Sequence, residues 1–215
     1  GPDAVADIER VTVSNCVIRD TGLNGVKIQQ TLGARMRDMI FSNLVMDNVA
    51  GPISVRLAGW AKGSMAWAVF DDSAWERGEL SNIVFANIRA VVPANNAKGA
   101  AKSCIQITGT PHTRPRGITF SNLDISFPGG GTAEEAARRE VPDHALVYPE
   151  ITMFGVLPAY AVYLHHADDI TLDNVRFDCR AEEARPPIVA DDVRGLQLAC
   201  VRDRGQEVLT ADVQA

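Results

Sequence analysis

The sequence predicts an all-β chain and, within that class, a parallel β-helix of about five to six coils carrying long loop inserts. Three observations predict it. A short alternating phrase recurs and closes on Asn, the alternation slips by one residue after each Asn, and a third alternating segment follows at a variable distance. The phrase reads Val11-Thr12-Val13-Ser14-Asn15, then Ile40-Phe41-Ser42-Asn43, Ile83-Val84-Phe85-Ala86-Asn87, Ile118-Thr119-Phe120-Ser121-Asn122 and Ile170-Thr171-Leu172-Asp173-Asn174. A weaker sixth copy is Leu196-Gln197-Leu198-Ala199-Cys200. Each copy alternates apolar and polar residues, the period of a strand.

The slip after Asn is read from Leu123 and Ile125 behind Asn122, and from Val175 and Phe177 behind Asn174. It predicts a bend, because Asn tolerates the left-handed backbone region better than other non-glycine residues. The third segments are Gly25–Gln29, Pro52–Leu57, Cys104–Thr108, Tyr160–His165 and Pro187–Ala190. Successive Asn positions stand 28, 44, 35 and 52 residues apart, while the strands hardly vary. The variation therefore belongs to inserts, at 58–79, 90–102 and 127–158. Stacked coils would align the Asn side chains as a ladder and give a rod on the order of 29 Å long, at ~4.8 Å per coil. A leucine-rich repeat would keep a fixed period, and a sandwich would show hairpin turns every 8–12 residues or so. In the last insert, Thr132-Ala133-Glu134-Glu135 is a capping box that predicts a short helix through Ala136–Glu140, ahead of Pro142.

The 215 residues suit one domain, or a piece of a larger one. Hydrophobic residues at 46% and charged residues at 22% are ordinary for a soluble globular chain, so the composition supports a sizeable core. A net charge of −6 argues against nucleic acid and anionic membrane surfaces as partners. No apolar run approaches the length of a membrane span. Cys16, Cys104, Cys179 and Cys200 are too scattered for a disulfide scaffold or a CxxC metal site, and read as free structural thiols.

Parity sorts the third segments. With Val26, Ile28, Ile53, Val55, Ile105, Ile107, Val162 and Leu164 inward, the outward set is Lys27 and Gln29, Ser54 and Arg56, Gln106 and Thr108, Tyr163 and His165, then Val189 and Asp191. Coil upon coil, these predict a wall of hydrogen-bonding groups suited to an extended polysaccharide. Trp60, Trp67 and Trp75 lie just behind the second coil, where aromatic faces can stack on sugar rings or simply pin a long loop. Lys27 and Arg56 suit an acidic sugar, or form an ordinary solvated face. The candidate substrate-binding residues are thus Lys27, Gln29, Arg56, Trp60, Gln106, Tyr163 and His165. Asp71-Asp72, Asp168-Asp169 and Asp191-Asp192 read first as turn acids, and Glu150 as a cleft residue by position only. His112, His144, His165 and His166 lack metal-ligand spacing, and simple alternation sends His165 and His166 to opposite sides. No metal and no cofactor is expected.

These segments resemble the family 28 glycoside hydrolases, the polygalacturonases and their relatives. The resemblance runs over roughly residues 5–200. It is carried by Val11–Ile18 with Asn24–Gln29, by Ile40–Val49 with Pro52–Val55, and by Tyr148-Pro149-Glu150-Ile151-Thr152-Met153-Phe154-Gly155 with Leu157–Leu164. It implies a right-handed parallel β-helix of the pectin-lyase-like kind and hydrolysis of pectin-type or related polysaccharide with inversion, one carboxylic acid protonating the glycosidic oxygen while a carboxylate activates water. It also implies a secreted or periplasmic protein. Two departures stand out. Family members carry Arg-Ile-Lys where this chain has Lys27-Ile28-Gln29, so the planar fork that grips a carboxylate is lost. The Asn-Thr-Asp, Asp-Asp and Gly-His-Gly motifs bearing the catalytic carboxylates are not found. The expectation is a C-terminal portion of a longer β-helix, inert alone, whose first edge is covered by further N-terminal coils or another chain. A non-catalytic carbohydrate-binding or structural β-helix is the alternative, and a polysaccharide lyase the third reading.

Overall fold

The computed structural model describes residues 4–60, 74–94, 102–210 and 213. Most of the inserts 58–79 and 90–102, with Trp67 and Asp71-Asp72, lies outside these residues.

The chain is almost entirely β. Its strands are β1 (Ile8–Gln30), β2 (Arg35–Leu57), β3 (Glu79–Val91), β4 (Ile105–Thr108), β5 (Arg116–Phe127), β6 (Val162–Cys179), β7 (Ile188–Arg194), β8 (Gln197–Ala199), β9 (Arg202–Asp203) and β10 (Gln206–Glu207). All pairings among them are parallel except that of β9 with β10. Only two short helical turns are present among the described residues, a 3-10 turn at Ala74–Arg77 and α1 (Ala133–Ala136).

The long strands are not straight. Asn15, Asn43, Asn87, Asn122 and Asn174 all have φ between 51° and 58°, and Cys200 follows with φ 54°. The left-handed backbone at each expected Asn turns the strand and resets which side chains face inward. The bends let one strand pair with different neighbours along its length. In β2, Arg35–Asp47 pairs with β3, whereas Ser54–Arg56 pairs with β4. In β6, Val162–His165 pairs with β4, and Asp168–Cys179 pairs with β5. The path β2–β3–β5–β6–β4 thereby closes on itself.

Register follows the sequence phrases. Val13, Phe41, Phe85, Phe120, Leu172 and Leu198 stand in line across six strands. The three Phe rings stack at centroid distances of 5.3 and 5.2 Å inside the core. The third segments align as a second file, Gln29–Arg56–Thr108–His165–Asp191. Along the outside, Asn43 donates to Asn15, Asn87 to Asn43, Asn122 to Asn87 and Asn174 to Asn122, at 2.8–3.1 Å.

The capping box forms as expected. Thr132 Oγ1 accepts from Glu135 N, and Glu135 Oε2 accepts from Thr132 N. The helix stops at Ala136 rather than continuing to Glu140, where Arg138 is tied by its guanidinium to the carbonyls of Phe154 and Val156. All four cysteines are free. Burial pushes the Cys104 thiol up to about 12 and the Cys179 thiol up to about 11.

Candidate functional site

The wall predicted to stand open is roofed by the chain's own insert. Gln29, Arg56, Gln106, Tyr163 and His165 are all buried. Gln29 Nε2 donates to Pro149 O at 2.5 Å, and Gln106 Nε2 donates to Ile151 O at 3.2 Å. The Arg56 guanidinium donates to the carbonyls of Gly109, Asp143 and His144 at 2.9, 2.5 and 3.1 Å. Its Cζ lies 5.4 Å from the Phe154 ring centroid. Burial, partly offset by Asp143, lowers the Arg56 pKa to about 10. Tyr163 packs with Val141, Phe154, Leu157 and Val189 in a satellite core beneath the insert, and burial raises its phenol above the ordinary range. A polar ladder on a strand thus becomes a set of anchors for loop carbonyls, in keeping with the requirement that buried polar groups be hydrogen-bonded.

At the edge of this roof the arrangement opens. Lys27 Nζ pairs with both Glu150 carboxylate oxygens at 2.9 and 3.0 Å, the two side chains 27% and 25% exposed. The same ammonium lies 5.4 Å from the ring centroid of the exposed Tyr148. Trp60 meets that ring edge-on at 4.9 Å. Two sequence-predicted residues, Lys27 and Trp60, are therefore brought together through a third, Tyr148, with Glu150 beside them. Trp75 instead turns back toward Gly59, where an added Cβ would lie 2.9 Å from its ring.

A second cluster forms at the other end of the wall. Simple alternation would place His165 and His166 on opposite sides. Instead His166 has φ 48°, so the chain bends there and both rings lie together, centroids 4.0 Å apart. Both Nε2 atoms face the same oxygen, Asp143 Oδ1, at 2.8 Å from His165 and 3.1 Å from His166. The paired strand β7 supplies the other sides. His165 Nδ1 lies 2.9 Å from Asp191 Oδ2, though off the line of a hydrogen bond, and His166 Nδ1 is 2.6 Å from Asp192 Oδ2. Arg114 bonds Asp192 at 2.5 Å and Asp168 at 2.8 Å. The hydrogen bonds from His166 and Arg114 hold Asp192 down to about 2. Burial would raise Asp143, but the bonds to His165 and His166 outweigh it and keep its pKa below the ordinary range.

The remaining candidates fall into place around these. Asp169 and Asp192 occupy left-handed bends, φ 53° and 48°, consistent with turn acids. His144 contributes its backbone carbonyl to Arg56. Sequence reasoning missed Asp143 and Arg114, whose partners lie 22–87 residues away and carry no local signal. The chain matches no protein-family model, no curated protein and no solved structure.

Proposed function

We propose that the chain winds as a right-handed parallel β-helix of the pectin-lyase-like kind and forms part of a polygalacturonase-like glycoside hydrolase acting on pectin-type or related polysaccharide. In-register parallel pairing of both the Asn phrases and the third segments supports the winding. The observation that carries the saccharide reading is the convergence of Lys27, Tyr148, Glu150 and Trp60 on one accessible rim. Aromatic faces cover the apolar face of a sugar ring, the ammonium meets a uronate carboxylate, and Glu150 accepts from ring hydroxyls. Because Lys27 and Glu150 already pair, an arriving uronate shares or displaces that bond. Inverting hydrolysis requires two carboxyl groups about 6.5–9.5 Å apart, and Glu150 is the carboxylate of this rim.

The roof favours a second reading, a carbohydrate-binding β-helix without catalysis. Gln29, Arg56 and Gln106 hold the insert's carbonyls and so do not themselves present a long open groove. A lyase base at Arg56 finds no support, since its guanidinium is committed to three carbonyls.

Oligogalacturonate binding by calorimetry, run beside reducing-sugar release from polygalacturonate, tests both. Lys27→Met and Trp60→Ala are each expected to weaken binding roughly tenfold, equivalent to about 1.4 kcal/mol. Release of sugar supports the hydrolase, binding without release supports the second reading, and binding unchanged in both variants overturns the rim assignment.

A further inference from the structure

We propose that Asp143, His165 and His166 form a binding site for a divalent first-row transition metal such as Zn2+. Their ligand atoms lie within 4.8 Å of one another, and two imidazole nitrogens converge on one carboxylate oxygen. Two His and one Asp make a donor set with room for water or substrate at a fourth position. Imidazole nitrogen selects zinc, copper, nickel or iron over calcium and magnesium, which prefer oxygen.

The surroundings carry the inference further than the three ligands alone. Ligating histidines commonly hold their second nitrogen against a carboxylate, which orients the ring and leaves the other nitrogen for the metal. Here His166 has such a partner in Asp192, hydrogen-bonded to its Nδ1, while Asp191 Oδ2 lies 2.9 Å from His165 Nδ1 without hydrogen-bond alignment. Asp192 is in turn fixed by Arg114, which also holds Asp168. Four carboxylates, Asp143, Asp168, Asp191 and Asp192, thus stand around the two imidazoles against two guanidiniums, Arg114 on Asp168 and Asp192 and Arg56 beside Asp143. A dication placed between the Nε2 atoms and Asp143 Oδ1 balances that excess of negative charge. The His rings are nearly covered, with side chains 5% and 12% exposed, while Asp143 at 37% leaves the site open to entry from one side. The device depends on the fold, because the left-handed backbone at both His166 and Asp192 puts two consecutive side chains of each rung on one face. It uses none of the rim residues, so sugar binding and metal binding stand or fall separately.

The experiment is Zn2+ titration of the full chain against a chromophoric chelator, with Co2+ absorption to report the coordination number. The expected result is one Zn2+ per chain and a four-coordinate Co2+ spectrum. His166→Gln should lose the site, and Asp192→Asn, which leaves all three ligands in place, should weaken it roughly 10–100-fold. Circular dichroism shows which variants fold, and Asp192→Asn on the exposed side keeps the test decisive if His166→Gln does not. No stoichiometric Zn2+ in the parent, or equal affinity in the parent and Asp192→Asn, overturns the proposal.

Discussion

Arg185 and Glu183 face each other at 2.8 Å with side chains 2% and 0% exposed. The guanidinium also donates to the carbonyls of Lys102, Leu157 and Ala159, and Glu183 accepts from Gly131 N. These two residues tie the segment before β7 to the start of the roofing insert. Removing one partner of a buried pair strands the other charge, typically at about 3–5 kcal/mol. Glu183→Gln should therefore lower the unfolding free energy by about that amount, read from urea midpoints. Its effect should also depend on pH. Burial alone would raise Glu183, but the hydrogen bonds from Arg185 outweigh it and hold the carboxyl below its ordinary value. The unfolded chain then takes up the proton first as pH falls. The stabilisation is complete above the unfolded value of about 4.3 and drains away as pH drops through the lower folded value. Urea midpoints of parent and variant should converge on acidification, and a constant gap down to pH 3 would show that Glu183 does not titrate this way.

For the strands, the recurring unit is the bend. Asn122 sits at φ 56°, donates to Asn87 and accepts from Asn174. Alanine there loses both ladder bonds and places a Cβ in the left-handed region, at about 1–2 kcal/mol for the backbone alone. Glycine loses the same bonds without the backbone strain. Asn122→Ala is expected to be less stable than Asn122→Gly by about 1 kcal/mol, and equal thermal midpoints would mean the strain is absent. A second file of bends lies five residues ahead of the first, at Arg10, Asp38, Asn82, Gly117, Asp169 and Gly195, with φ between 52° and 70°. Its signature of Asp, Asn and Gly is present in the sequence but broken by Arg10. Asn82 donates to Asp38 across this file at 2.6 Å, as Asn48 does to Asp20 in a third at 2.7 Å.

Over the described residues as a whole, each strand is held mainly by the strands paired with it. β2, β3, β5 and β6 have parallel partners on both sides, whereas β1 pairs with β2 alone among the described residues. Local opening follows such differences in protection. Amide exchange should be slowest in β3 and β5, faster in the first half of β1 and fastest across β8–β10, and uniform exchange throughout would contradict strands protected by their paired neighbours. The apolar positions agree with this order: Ile83, Phe85, Ile118 and Phe120 are wholly buried, while Val11 and Val13 of β1 are only partly so.

What the sequence determined by itself was the repeat. Alternation fixes which side chains can face the core, and Asn marks where the backbone must turn, because both are properties of a few neighbouring residues. That much placed the Asn files, the inward residues of the third segments and the capping box at Thr132. What only the tertiary structure decided was the fate of the outward wall. Whether Gln29 and Arg56 meet a ligand or a carbonyl depends on an insert more than eighty residues away settling over them. Whether His165 and His166 point together depends on the left-handed backbone at His166, which simple alternation does not show. Local periodicity carries no information about contacts of that span, so the strands were legible one at a time, and the site only from the way they and the insert pack together.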